Sequence, residues 1–224
     1  MLQWVHERAR ASGASDVLIA TDHAAIAAAA TAFGAVARMT SAAHASGTDR
    51  LAELATIERW PEADIVVNVQ GDEPLIPPAI IRQVATLLDS DREAAIATLA
   101  TPVESLAEFL DPNAVKVVAD SSGRALYFSR APVPWNRDGA AAGLSTQRAF
   151  AGARRHIGIY AYRVGALRRL ASLAPTVLEN AEKLEQLRAL ENGLVIRVAD
   201  AMERPGPDVN TAADLQRVAT LMAR

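Results

Sequence analysis

Two acids follow a run of β-branched residues at Gln70-Gly71-Asp72-Glu73-Pro74. The glycine lets the backbone turn tightly. An aspartate after it can hold Mg²⁺ through one carboxylate and leave coordination sites for phosphates and water. The same two acids would also serve as caps for a following helix. A second segment, His44-Ala45-Ser46-Gly47-Thr48-Asp49-Arg50, sets small hydroxyls around a glycine just before a helix. Backbone N–H groups and side-chain oxygens there suit an anion or a base edge. An ordinary helix cap, with Thr48 as the capping residue, accounts for the same pattern.

Arg130, Arg154, Arg155 and His156 lie at the two ends of a long loop. Their guanidinium groups suit two-point recognition of a carboxylate or phosphate. Arginine is plentiful throughout, however: of 23 basic residues only Lys116 and Lys183 are lysines. Glu182-Lys183-Leu184-Glu185-Gln186-Leu187-Arg188 has the spacing of a solvated helix face laced by i,i+3 and i,i+4 pairs.

The elements that must position these groups alternate in type. Leu2, Val5 and Ala9 mark a helix ending near Ser12-Gly13, and Asp16 to Ala20 a short apolar strand. Asp22 is placed to cap the Ala-rich helix that follows. Ala35 to Met39 is a second strand, and Asp49 to Arg59 an amphipathic helix. Ile65 to Val69 is apolar throughout, which suits a parallel sheet covered on both faces. Pro77 to Leu88 reads as a helix with proline at its start, and Ala94 to Thr101 as a strand.

From Pro112 the texture changes. Val115 to Val118 and Ala125 to Ser129 flank Asp120-Ser121-Ser122-Gly123 and predict a β-hairpin. Ala131 to Ala151 is a long irregular loop, a length usually tied to function. A strand at His156 to Tyr162 follows, then helices at Val164 to Leu173 and Asn180 to Leu190. A strand at Val195 to Val198 and a helix at Thr211 to Met222 complete the chain. The expected fold is a three-layer, Rossmann-like α/β arrangement, with a mostly parallel sheet and a smaller antiparallel insertion at about 112–165. Nothing in the pattern divides residues 1–224 into separate domains.

Composition narrows the function classes. The 224 residues are 50% hydrophobic and 22% charged, which fits a packed chain and not a disordered one. The net charge of −3 argues against a general nucleic-acid binder. With no cysteine, disulfides, thiol nucleophiles and Cys-ligated zinc are excluded. No apolar run reaches the roughly 18 residues a membrane span requires. Met1 to Arg8 lacks the layout of a signal peptide. A cytoplasmic protein with no membrane or nucleic-acid partner is expected.

Taken in order, these segments resemble one family over essentially the whole chain. Val67-Asn68-Val69-Gln70-Gly71-Asp72-Glu73-Pro74, Asn113 to Val118, Ala125 to Arg130, His156-Ile157-Gly158-Ile159-Tyr160 and Leu184 to Arg188 are similar to the 3-deoxy-manno-octulosonate cytidylyltransferases (CMP-Kdo synthetases). Ile19 to Asp22 and Ser46 to Glu53 fit in the same order. The resemblance implies transfer of CMP from CTP to the sugar acid Kdo, with release of pyrophosphate, for lipopolysaccharide synthesis. It implies that Asp72 is a catalytic Mg²⁺ ligand and that Gln70 lies near the sugar. Ser46, Gly47, Thr48 and Arg50 would contact the cytidine. Arg130, with a catalytic role, and His156, Tyr160, Glu185 and Gln186 would line the Kdo pocket. Members are homodimers built on the insertion. Run Tyr127 to Arg130 together with His156 to Tyr160 favours Kdo over a related sugar acid such as sialic acid.

Two departures from the family pattern carry expectations of their own. The family places a strand and a Gly/Arg/Lys phosphate loop ahead of the residues that match Met1-Leu2-Gln3. An initiation site upstream of Met1 and a shortened, catalytically weak sugar-acid or nucleotide binder both account for this. Without that strand, apolar edges of its neighbours should be bare. Near the C-terminus, Asn210 stands where the family has a metal-binding aspartate. An amide oxygen adds no charge, so metal affinity should fall, with Asp208 two residues away as a substitute ligand.

Overall fold

The computed structural model describes residues 1–44, 46–139 and 143–222. Ala45 in the hydroxyl-rich segment, residues 140–142 in the long loop and residues 223–224 lie outside the described residues. The first half alternates as the periodicity predicts: α1 (Leu2–Ala11), β1 (Leu18–Thr21), α2 (Ala24–Ala32), β2 (Val36–Met39), α3 (Gly47–Ile57), β3 (Ile65–Asn68), α4 (Pro78–Asp89) and β4 (Ile96–Pro102). The second half runs α5 (Leu106–Leu110), β5 (Lys116–Ala119), β6 (Ala125–Ser129), β7 (Arg154–Arg163), α6 (Val164–Ser172), α7 (Val177–Glu182), α8 (Gln186–Glu191), β8 (Ile196–Asp200) and α9 (Ala212–Met222).

The fold is α/β, but the strand pairing is mixed where a mostly parallel sheet was expected. β4 and β8 pair in parallel, whereas β7 runs antiparallel to β3, β4 and β5. The cause is the path of the chain. β7 enters from the antiparallel insertion and takes the place between β3 and β4, so the expected parallel neighbours never touch. One edge of β7 pairs with β4 along its length. Its other edge is shared: β3 takes Tyr160 to Arg163, while β5 meets it at Arg155. The strands therefore part midway along β7, and the candidate site lies at that parting.

Helices cover both faces of this sheet. On one, Leu51 and Leu54 of α3, Leu167 and Leu170 of α6 and Leu187 of α8 pack on Ile96 and Val198. On the other, Ile80, Ile81, Val84 and Leu88 of α4 pack on Ala97, Leu99 and Ile159. Each aliphatic side chain fully buried in this way contributes roughly 1.5–3 kcal/mol. The hairpin forms as predicted. Asp120 Oδ1 accepts from Ser122 N at 2.8 Å and Arg124 N at 2.9 Å, closing the turn. Gly123 takes φ +86° there, and a Cβ would come within 3.0 Å of the Val198 carbonyl oxygen.

β1 and β2 form a separate two-stranded parallel sheet. Among the described residues β1 pairs with β2 alone and β3 with β7 alone, so each has a second edge without a strand partner. Between these edges runs a groove of about 630 Å³ lined by Leu18, Ile19, Leu54, Ile65 and Val67, among others. Among the described residues no helix is long and apolar enough to cross a membrane.

Candidate active site

Local chain geometry, more than residue type, brings the hydroxyl-rich segment to the site. Ser46, not Thr48, caps α3: its Oγ accepts from Asp49 N at 3.1 Å. A cap residue keeps an extended backbone, and Ser46 has φ −141°, ψ 162°. Thr48 then sits inside the first turn, and its hydroxyl caps no backbone N–H. Its hydroxyl donates instead to Glu185 Oε2 at 2.6 Å, and Ser46 Oγ donates to Glu185 Oε1 at 3.0 Å. Asp22 likewise leaves the capping of α2 to His23, whose Nδ1 accepts from Ala25 N. Asp22 pairs with Arg50 at 3.2 Å, and Arg50 also donates to Thr40 Oγ1 at 2.6 Å. Arg50 thus ties the ends of β1 and β2 to α3 and lies outside the cavity lining.

Glu185 and Gln186 owe their place to a break in the chain. One helix was expected over Asn180 to Leu190; two short ones form, α7 and α8. Lys183 between them adopts the left-handed conformation, φ 54°, ψ 48°, and ends α7. This kink turns Glu185 and Gln186 inward, so the solvated helix face does not hold for them. They close a cavity of about 120 Å³ with Gly47, Thr48, Asn68, Gln70, Tyr160 and Tyr162. It opens at the end of β3, the usual place for ligands in an open α/β sheet.

Tyr160 and Tyr162 come from β7 and stack with ring centroids 5.7 Å apart. Burial raises both phenols above their ordinary range. Both are therefore neutral hydrogen-bonding groups. His156 stands behind Tyr160, at 5.2 Å between ring centroids, with an edge against Phe128 at 5.0 Å. Its Nε2 lies 2.9 Å from Thr98 Oγ1. Thr98 also donates to the carbonyls of Ile159 and Ile157, where the β4–β7 register shifts. Desolvation, with the Arg155 charge adding to it, lowers the His156 pKa to about 3. The imidazole is therefore neutral and braces Tyr160.

Arg130, expected in the sugar pocket, is not among the residues that line this cavity. Its Nε donates to the Glu182 carbonyl at 2.6 Å and its Nη1 to the Pro112 carbonyl at 2.9 Å. The end of α7 passes directly beside β6 and captures the guanidinium. Arg154 and Arg155 pair with Asp200 and Glu108.

The acidic loop forms a second cluster. Val209 N donates to the Asp72 carbonyl at 2.9 Å, which brings the 208–210 segment alongside. Asn210 Nδ2 donates to Asp208 Oδ2 at 2.8 Å. Glu73, which motif reasoning passed over, is the buried member. Its pKa is raised to about 7, first by desolvation and then by the charges of Asp72 and Asp208. Its Oε2 is buried without a hydrogen-bond partner. Among the described residues no group of three or more His, Asp or Glu is close enough to form a complete metal cage. Two carboxylates and an amide beside an orphaned buried oxygen fit a hard divalent cation that keeps most of its ligands as water and phosphate. Asn68, Thr98 and Tyr162 were also missed. The one signal for Asn68 was a polar residue closing an otherwise apolar strand.

Comparison with known proteins bears on this geometry. The cytidylyltransferase family model matches residues 1–198. A 3-deoxy-manno-octulosonate cytidylyltransferase of Thioalkalivibrio sulfidiphilus is 52% identical over 223 residues, covering 99% of this chain and 88% of the relative. One from Cellvibrio japonicus is 54% identical with the same coverage. The structure of a CMP:2-keto-3-deoxy-manno-octonic acid synthetase complexed with CTP aligns with a TM-score of 0.87 at 39% identity, over 99% of this chain and 87% of that one. A 4-diphosphocytidyl-2C-methyl-D-erythritol synthase shares the fold, with a TM-score of 0.62 at 13% identity over 99% of this chain and 87% of that one.

Proposed function

The chain belongs to the cytidylyltransferase family, among the 3-deoxy-manno-octulosonate cytidylyltransferases, and we propose that its cavity at the end of β3 is where CTP and Kdo meet. The enzyme forms CMP-Kdo and pyrophosphate from these two substrates. The observation that carries the site assignment is that one cavity joins Gly47 and Thr48 to Gln70, Tyr160, Glu185 and Gln186. The first pair belongs to the segment assigned to the nucleotide, the others to those assigned to the sugar.

In the reaction a sugar hydroxyl oxygen attacks the α-phosphorus of CTP. The bond from that phosphorus to the bridging oxygen breaks, pyrophosphate leaves with its electron pair, and the proton of the attacking hydroxyl passes to solvent. Such transfer depends on positioning and on neutralising charge. Ser46, Gly47 and Thr48 offer hydroxyls and the N-terminal N–H groups of α3 to the nucleotide, and Arg50 holds that segment on β1 and β2. Gln70 and Gln186 offer amides to the sugar, and neutral Tyr160 offers its hydroxyl. His156 acts through Tyr160, and Arg130 acts from outside by fixing the end of α7.

The family uses a divalent metal, and we assign Mg²⁺ to Asp72 and Asp208, with Asn210 beside them. When bound, the ion neutralises phosphate charge. Two further assignments complete the proposal: a cytoplasmic location and a homodimer formed through the β5–β6 insertion. Light scattering at twice the monomer mass supports the dimer, and a monomer refutes it.

The deciding experiment supplies the purified chain with CTP, Kdo and Mg²⁺ and follows pyrophosphate and CMP-Kdo. Formation of both, dependent on the metal, is expected. Affinity for CTP or Kdo without turnover would make this chain a binder. No turnover with no CTP binding would overturn the assignment of the cavity.

A further inference from the structure

The turn between α7 and α8 makes contacts far from its own helices. Glu185 accepts hydrogen bonds from two hydroxyls that lie 139 and 137 positions earlier in the chain. One turn further on, Arg188 donates through Nε to Glu179 Oε2 at 2.8 Å. Its Nη2 donates to the other oxygen of the same carboxylate. This is the two-point fork that a guanidinium makes and an ammonium cannot. Both partners are buried, with exposures of 9% for Glu179 and 7% for Arg188. The same Nη2 is 3.9 Å from Glu185 Oε1, and Glu179 Oε2 also accepts from Thr176 N at 3.1 Å.

We propose that Arg188, held by Glu179, is a positioning residue: it fixes the turn at Lys183 so that Glu185 grips Ser46 and Thr48, joining the nucleotide half of the cavity to its sugar half. The inference rests on the substrate assignment above. A buried ion pair adds little net stability over well-packed apolar groups, because desolvation offsets the attraction. What the fork does supply is direction. It pins α8 against α7 across a left-handed residue that carries a side chain, a backbone state without intrinsic preference for lysine. With the turn pinned, Glu185 meets both hydroxyls in one rotamer. Without it, the ligand would have to order the turn on binding, and affinity would fall.

The test is a double-substitution cycle with Arg188→Lys and Glu185→Gln, read in steady-state kinetics. Arg188→Lys keeps the charge and loses the fork. We expect KM for CTP and for Kdo to rise about tenfold in each single variant, with kcat within about twofold, and the double variant to be no worse than Glu185→Gln. A lowered melting temperature with unchanged KM would mark Arg188 as structural only and overturn the proposal. Multiplying effects in the double variant would overturn it as well. A readout without substrates separates this inference from the functional one: Arg188→Lys should shift the backbone amide resonances of Ser46 and Thr48 as Glu185→Gln does. Unshifted amides refute the positioning role even in an active enzyme. Shifted amides in an inactive one sustain it while the substrate assignment falls.

Discussion

Along the four residues of β3, one edge and the other differ in almost every physical respect. Toward β7 the backbone is paired residue by residue, from Ile65 with Arg163 to Asn68 with Tyr160. The polar cavity lies at the end of that paired edge. There Glu185 draws in hydroxyls from a distant element, those of Ser46 and Thr48. Toward β1 the edge has no strand partner among the described residues and faces the larger groove, where Leu18, Ile19, Leu54 and Val67 mix with Asp16, Asp64 and Arg82. Volume is therefore a poor guide to chemistry here. The smaller space gathers interlinked hydroxyls and a carboxylate from distant segments, whereas the larger one follows two unpaired strand edges and mixes apolar with polar side chains.

That contrast can be broken or sharpened by substitution. The largest effect is expected at the acidic loop. Asp72→Asn should lower turnover by about 100-fold or more, or some 2.7 kcal/mol in the barrier, without changing the melting temperature. Pyrophosphate release measures it, and near-normal activity would remove Asp72 from the metal site. On the groove side, Leu54→Ala should leave KM for CTP unchanged and cost about 2–4 kcal/mol of stability in urea titration, since Leu54 is only 2% exposed. A change in KM with little loss of stability would erase the distinction between the two sides.

Asn210→Asp is expected to strengthen Mg²⁺ dependence about tenfold by adding charge beside Asp208. An unchanged Mg²⁺ titration would mean that residue 210 faces elsewhere. A pH-dependent effect concerns His156. Its folded pKa of about 3 lies below the unfolded value of 6.5. The unfolded chain therefore takes up the proton first, and stability falls as pH drops from about 6.5 toward 3. In His156→Gln this part of the slope should vanish. An identical pH profile in thermal melts would show that the imidazole is not buried in its neutral form.

The sequence made some of this architecture plain. Ile65 to Val69 is too rich in β-branched residues to be anything but a strand, and Asp120 to Gly123 is a turn by its local chemistry. The order of motifs carried the family. What it did not carry depends on partners far along the chain. β3 looked like a strand for a parallel sheet because its composition records burial on both faces and not the direction of its neighbour. Ser46 and Thr48 are chemically alike as caps, and only the backbone angles separate them. The break at Lys183 was invisible because nothing about lysine foretells a left-handed turn. Once it forms, Glu185 and Gln186 leave the surface. Glu73 sat within the motif, but its raised pKa arises first from burial, which only the folded chain provides, and then from the charges of Asp72 and Asp208.

The scarcity of lysine gives the left-handed turn a practical use. Lys116 is wholly buried in β5, and Lys183 is exposed at the junction of α7 and α8. There is no cysteine. Among residues 1–224 an amine-directed fluorophore would therefore have a single exposed lysine side chain to find. It would sit two residues from Glu185, so the unaltered chain carries its own labelling address at the rim of the cavity.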